Sequence, residues 1–127
     1  MTTLHWPSFF PETCPPPDAS EASAEVFRLV AFEPPSASDF ESHAERCPDK
    51  WMGNCKASGL SVFTDKDDAV RLLRRVPGMR SPGNLLASAI LTPEAGKLMH
   101  TPRNGNSHHT WWAPDGFNHA SVFKVLA

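Results

Sequence analysis

Apolar and polar positions along this chain alternate in short blocks, and each block suggests an element. Glu25 to Phe32 (EVFRLVAF) is dense in Val and Phe and is expected to form a strand ending at Pro34-Pro35. Ser36 to Arg46 reads as a helix, with Ser38 and Glu41 as a capping box and Cys47-Pro48 as its stop. Phe40, Ala44 and Cys47 would share one face of it. Residues 48 to 58 are expected to be a loop, followed by a short strand over Gly59 to Phe63. Thr64 is placed to cap a second helix, from about Asp65 to Val76, with Pro77-Gly78 beyond it. Ala69, Leu72, Leu73 and Val76 recur at helical spacing, and Arg71, Arg74 and Arg75 fall mostly off that stripe. Leu85 to Leu91 (LLASAIL) is expected to be a strand buried on both faces, and Ser121 to Leu126 another. His109 to Trp112 would add a short edge strand.

Residues 1 to 24 carry no such period. They hold Trp6-Pro7, Phe10-Pro11 and Pro15-Pro16-Pro17, and read as an irregular arm before a single domain over residues 25 to 127. Trp6, Phe9 and Phe10 are too apolar for a solvated tail, so they are expected to dock on the domain or on a second copy. At 127 residues the chain can bury a core without metal or disulfides. The resulting expectation is an α+β fold with two helices.

Charge narrows the function classes. The net charge is -2 and the isoelectric point about 6.3, so a general nucleic-acid binder, which needs a basic surface, is disfavoured. A small nucleotide, held by a few local donors, remains possible. No 18-residue apolar run suggests a membrane span, and no basic segment followed by an apolar run marks a signal peptide. The cytoplasm is therefore the expected compartment. The three cysteines, Cys14, Cys47 and Cys55, read as reduced thiols; a Cys47–Cys55 bridge is possible without special support. His43, Cys47 and Cys55, with His100 or His119, could be assembled on paper into a zinc site. The spacing is not that of a zinc ribbon, and no metal is expected.

The densest chemistry lies in Ser107-His108-His109-Thr110-Trp111-Trp112. Two of the four Trp and two of the six His fall there, between turn signals. An aromatic wall beside imidazoles suits a flat polar ligand such as a base or nicotinamide. Neighbouring strand residues point to opposite faces, so at most one of His108 and His109 would face a given site. Arg28 is the second candidate, because a charge inside an apolar strand is costly unless paired or used, and a guanidinium suits phosphate. Ser61 is the third, a hydroxyl in the middle of a strand that opens into a capped helix. Phosphate loops of the Walker or dinucleotide-binding type, the Gly-x-Ser-x-Gly elbow and Cys-x-x-Cys do not occur.

Taken in order, three segments resemble the ADP-ribosyltransferase-like fold, the group of NAD-consuming toxins, RES-type toxins and RNA 2'-phosphotransferases. They are a strand around an Arg (VFRLV), a hydroxyl-bearing strand leading into a helix (GLSVFTDKDDAVRLL), and an apolar strand (LLASAIL) followed by a long loop and further strands. The resemblance implies a small split antiparallel β core with an NAD cleft between two sheets. It implies that Arg28 contacts the NAD phosphates or ribose and that Ser61 orients the nicotinamide ribose. His109 would polarise a hydroxyl or act as base, and Trp111 or Trp112 would stack on a ring. Cofactor binding is thus expected at Arg28, Ser61, His109, Trp111 and Trp112, with His109 and Arg28 as the catalytic pair. NAD is the expected substrate, for ADP-ribosyl transfer or NAD glycohydrolysis, in a small toxin or defence effector. The chain departs from the group in having no Glu after Glu94, where most such transferases carry a late catalytic Glu. The alternative is a non-enzymatic interaction or dimerisation module that uses the aromatic arm and Trp111/Trp112 as its surface.

Overall fold

The computed structural model describes residues 4–75, 85–102 and 106–126. Val76 of the helical stripe and the Pro77-Gly78 stop lie outside them. Among the described residues seven strands form one sheet: β1 (Ser20–Glu21), β2 (Ala24–Val30), β3 (Leu60–Phe63), β4 (Leu85–Leu91), β5 (Lys97–His100), β6 (His108–Trp112) and β7 (Lys124–Val125). Their order is β1-β5-β6-β3-β2-β4-β7, and every pairing is antiparallel. The α+β class expected from the sequence is the one found.

The pairing is uneven. β2 and β4 match over seven positions, from Ala24↔Leu91 to Val30↔Leu85. β3 and β6 match over four, from Leu60↔Trp111 to Phe63↔His108. Between these two blocks, β2 and β3 share the single position Phe27↔Phe63. The sheet is therefore nearly divided down its middle, along a seam between Arg28–Val30 and Leu60–Val62.

Pleating separates two cores. One surface gathers Val26, Val30, Leu60, Val62, Ala87, Leu91, Leu98 and Trp111 with Phe40 and Phe123 from outside the sheet. The other gathers Phe27, Phe63 and Leu86 under Ala69 of α4 (Lys66–Arg75). Each methylene moved from water into such a core contributes roughly 0.8 kcal/mol, so the alternation of β2 dictates its register against both layers. LLASAIL is less enclosed than its composition suggests, since Ile90 is 74% exposed at the far end of β4.

Several elements differ from the sequence expectation, each for a local reason. The expected helix over 36–46 divides into a 3-10 turn, Ala37–Phe40, and α1 (His43–Arg46). Asp39 Oδ2 accepts from the Ser36 amide at 3.0 Å, and Ser42 and Glu45 form a second reciprocal cap. Two N-terminal caps six residues apart break one helix into two. Phe40 and Ala44 are buried, whereas Cys47 is exposed. The loop over 48–58 contains two helical turns, α2 (Pro48–Trp51) and α3 (Cys55–Ser58). Asp65, rather than Thr64, supplies the side-chain acceptor that opens α4, taking the Asp67 amide at 2.9 Å. The expected strand over 121–126 starts as α5 (His119–Val122), capped by Asn118, and only Lys124–Val125 pairs.

β6 is an internal strand and not an edge, because β5, absent from the sequence reading, pairs along its outer side. Gly96 permits that hairpin. It has a φ of 109°, and a Cβ there would stand 2.0 Å from the Trp112 carbonyl oxygen. The arm also joins the fold: β1 pairs with β5, and Ala22 is fully buried. Trp6 stacks on Phe10 at 6.1 Å, Phe9 meets Phe10 edge-on at 5.0 Å, and the His5 carbonyl accepts from the Asp115 amide at 2.7 Å.

The thiols correct the reduced-cysteine expectation. Cys14 and Cys55 form a disulfide that ties the arm to α3, and Cys47 is the free one. The 47–55 bridge does not exist, and Cys55 is withdrawn from the hypothetical zinc set. Among the described residues no three His, Cys, Asp or Glu side chains cluster as metal ligands. No helix among them is long and apolar enough to cross a membrane.

Candidate functional site at the β2/β3 seam

Arg28 reaches across the seam. Its Nη1 donates to the Ser61 carbonyl at 2.7 Å, and Nε and Nη2 both donate to the Asp39 carbonyl, at 3.1 and 2.9 Å. The guanidinium also lies 5.6 Å from the centre of the Phe40 ring. Asp39 is placed for this by its own carboxylate, which accepts from the Ala31 and Ser36 amides and holds the turn against β2. All of Arg28's direct partners are thus neutral carbonyls. Loss of water on burial, reinforced by Arg46 and opposed by Asp39, pulls its pKa down to about 10. It remains a cation at neutral pH, in a setting where an anion would be favourable.

On the β3/β6 surface the partner of Ser61 is His108. The Ser61 hydroxyl and His108 Nε2 are 3.0 Å apart. They sit on diagonal positions of the same surface, since Ser61 opposes Thr110 and Phe63 opposes His108. His108 Nδ1 is 2.7 Å from the Thr101 carbonyl, which can only accept, so Nδ1 carries the proton. In the neutral ring Nε2 is then the acceptor and the Ser61 hydroxyl donates to it. The Thr101 hydroxyl lies 3.0 Å from Nδ1 and 2.9 Å from the Thr110 hydroxyl. A serine beside an imidazole that a third group orients is an arrangement that polarises a hydroxyl. His108 itself is buried, whereas Ser61 is exposed.

Asp68 fixes the entry to β6. Its carboxylate accepts from the Ser107 amide at 3.0 Å and from Arg71. Hydrogen bonds from Ser107, through its side chain and its backbone, hold the Asp68 pKa below the ordinary value, with Arg71 adding to them against the cost of burial. The Ser107 hydroxyl in turn accepts from the Asp65 amide. The start of α4 and the start of β6 are therefore joined just before His108.

The residues proposed from sequence separate into two groups. Arg28 meets only the Ser61 backbone at the seam: its side chain lies with Phe40 on the Val26/Val30 surface, while the Ser61 hydroxyl and His108 lie with Phe63 on the opposite surface. His109 faces the other side of β6, opposite Val62 and His100. Its Nδ1 donates to the Ser107 carbonyl at 2.8 Å, and its ring lies 5.1 Å from His100. It is therefore His108, and not His109, that bonds the Ser61 hydroxyl. Trp111 and Trp112 are both 0% exposed. Their indole N–H groups donate to the Ala95 and Cys55 carbonyls, at 2.7 and 2.8 Å. Neither can stack on a ligand or meet a partner without opening the core, which removes the Trp pair as an interaction surface. Asp39 and Asp68 were missed in the sequence. The Ser36-x-x-Asp39 spacing before Phe40 was a legible sign of the first.

A second concavity lies away from the Ser61–His108 pair. It encloses about 480 Å³ between the N-terminal arm, the 3-10 turn and the segment from Ala113 to Ala120. His119 stands inside it, 5.2 Å from Trp111, 5.5 Å from Phe117 and 5.6 Å from Phe40.

Comparison with protein-family models, curated proteins and solved structures finds no match to the chain.

Proposed function

We propose that this protein binds NAD or a related ADP-ribose compound across the β2/β3 seam and cleaves its bond to nicotinamide, by ADP-ribosyl transfer or by glycohydrolysis. The observation that carries the reading is the polarised Ser61–His108 pair, on a strand joined to β2 at one paired position. A small split β core of the ADP-ribosyltransferase-like kind would have its cleft at such a division, and the sheet is joined there by one paired position. Arg28 is the phosphate candidate because its charge has no carboxylate bonded to it, and since its side chain is on the surface opposite the Ser61 hydroxyl, one ligand reaches both only through the seam.

In this reading Ser61 and His108 hold the nicotinamide ribose, with His108 taking the place the sequence suggested for His109. The Thr101 carbonyl keeps the Nδ1 proton in place, leaving Nε2 to accept. As the C–N bond breaks, the electron pair leaves with nicotinamide. The oxygen of water or of an acceptor hydroxyl bonds to the ribose carbon, and its proton passes to Nε2. His108 thus stands in for the missing late Glu as a proton acceptor, although it lacks that residue's negative charge.

The test is nicotinamide release from NAD, with thermal shift measured alongside. Wild type should release nicotinamide, His108→Asn and Ser61→Ala should lose most of that activity, and His109→Ala should keep it. A thermal shift without release would reduce the function to binding. Folded wild-type protein giving neither would overturn the reading.

A further inference from the structure

The aromatic cavity around His119 lies apart from the Ser61–His108 pair and adjoins Arg28 only through Phe40, whose ring is 5.6 Å from the guanidinium. Phe9 and Phe10 from the arm, Phe117 and His119 bring partly exposed rings to it, and the buried Phe40 and Trp111 form its floor. The ionisable side chains among its described lining residues are Glu41, Glu45, Asp115 and His119, with no Lys or Arg. Burial, with a smaller contribution from Arg28, lowers the His119 pKa against the opposing Phe117 carbonyl, so its ring is neutral at pH 7 and does not repel a cation. Its volume of about 480 Å³ is within the usual range for a small-molecule site. Glu41, Glu45 and Asp115 are all exposed, so three carboxylates reach solvent around an apolar interior, and Glu45 is held by the Ser42 amide.

We infer that this cavity is a binding site for a small organic cation, an ammonium group with a compact apolar body. Ring faces carry negative quadrupole charge and attract an ammonium ion, and the carboxylates add to that attraction. A phosphate or carboxylate ligand would meet the same carboxylates as repulsion. The inference does not rest on the NAD reading.

The test uses choline and its uncharged isostere, 3,3-dimethyl-1-butanol, titrated into the full-length protein and followed by tryptophan fluorescence and NMR shifts. Choline should bind at least about fivefold more tightly than the isostere, the discrimination expected when rings hold a partly desolvated cation. Glu41→Gln with Asp115→Asn, two exposed changes that leave the interior intact, should weaken choline and leave the isostere unchanged. Equal binding of the two, or no binding of choline, would overturn the inference. So would tighter binding of adenosine monophosphate at these same residues. The nicotinamide-release assay on the same double variant should be unaffected, which keeps the outcome separate from that of the seam.

Discussion

The seam and the cavity are built on one sheet and are held together by opposite means. At the seam the sheet's own ladder almost fails, and Arg28 bridges it, donating to the Ser61 carbonyl across the gap and to the Asp39 carbonyl beside it. Around the cavity the packing is of rings: Phe40, Trp111, Phe117, His119 and Phe123 each meet at least two of the others. The first arrangement leaves a positive charge among neutral acceptors; the second leaves negative charge around a neutral interior. Phe40 stands between them, under the Arg28 guanidinium on one side and beside His119 on the other. Both charges lie on one surface of the sheet, the cation beside Phe40 and the carboxylates at the cavity's rim.

The largest expected effect comes from removing the cavity's floor. Trp111→Ala should cost about 3–5 kcal/mol, the range for truncating a buried large aromatic, and unfolding in denaturant would measure it. It should disturb both regions, because Trp111 is paired with Leu60 on β3. Reduction of Cys14–Cys55 should come next, at about 2–4 kcal/mol, since the bond closes a long loop. Melting with and without reductant would show it, and Cys47→Ser should leave that difference intact.

Arg28→Ala should cost about 2–3 kcal/mol, because it strips charged hydrogen bonds from the Asp39 and Ser61 carbonyls. A melting temperature equal to wild type would mean that the seam does not depend on the bridge.

The two regions also separate by pH. His119 has its pKa lowered in the fold, so its neutral form is the one the fold favours. Stability should fall as pH drops below its ordinary 6.5, because the unfolded chain then binds the proton more readily. His119→Phe should flatten that part of the stability profile. Asp68, also lowered, contributes stability above its ordinary 3.8 that is lost as pH falls through its folded value. Asp68→Asn should remove that more acidic component alone. The smallest stability effect belongs to Ser61→Ala, within about 1 kcal/mol for one exposed hydroxyl bond. A much larger loss would assign the Ser61–His108 bond to folding.

Much of the fold was legible because β2, β3 and β4 advertise themselves by β-branched and aromatic density, and α4 by its stripe. β5 was not, since Lys97–His100 is short and mixed and becomes a strand only against β6. The early helix was misread as one because two capping signals, Ser36/Asp39 and Ser42/Glu45, lay closer together than a continuous helix allows.

The same division holds for the site. The sequence by itself determined that Arg28, Ser61 and the His108-His109 pair were the chemistry worth following, because unusual residue types in apolar strands are visible without coordinates. It also determined that only one of the two histidines could face a given surface, because strand alternation is a local property. Which one met Ser61 was decided by register between β3 and β6, and a one-residue slip would have chosen His109. Tertiary structure alone buried both indoles, joined Cys14 to Cys55 across 41 residues, and gathered rings from the arm, the 3-10 turn and β6 around His119. Those contacts join segments far apart in the chain, and no local pattern encodes a distance that only the folded sheet creates.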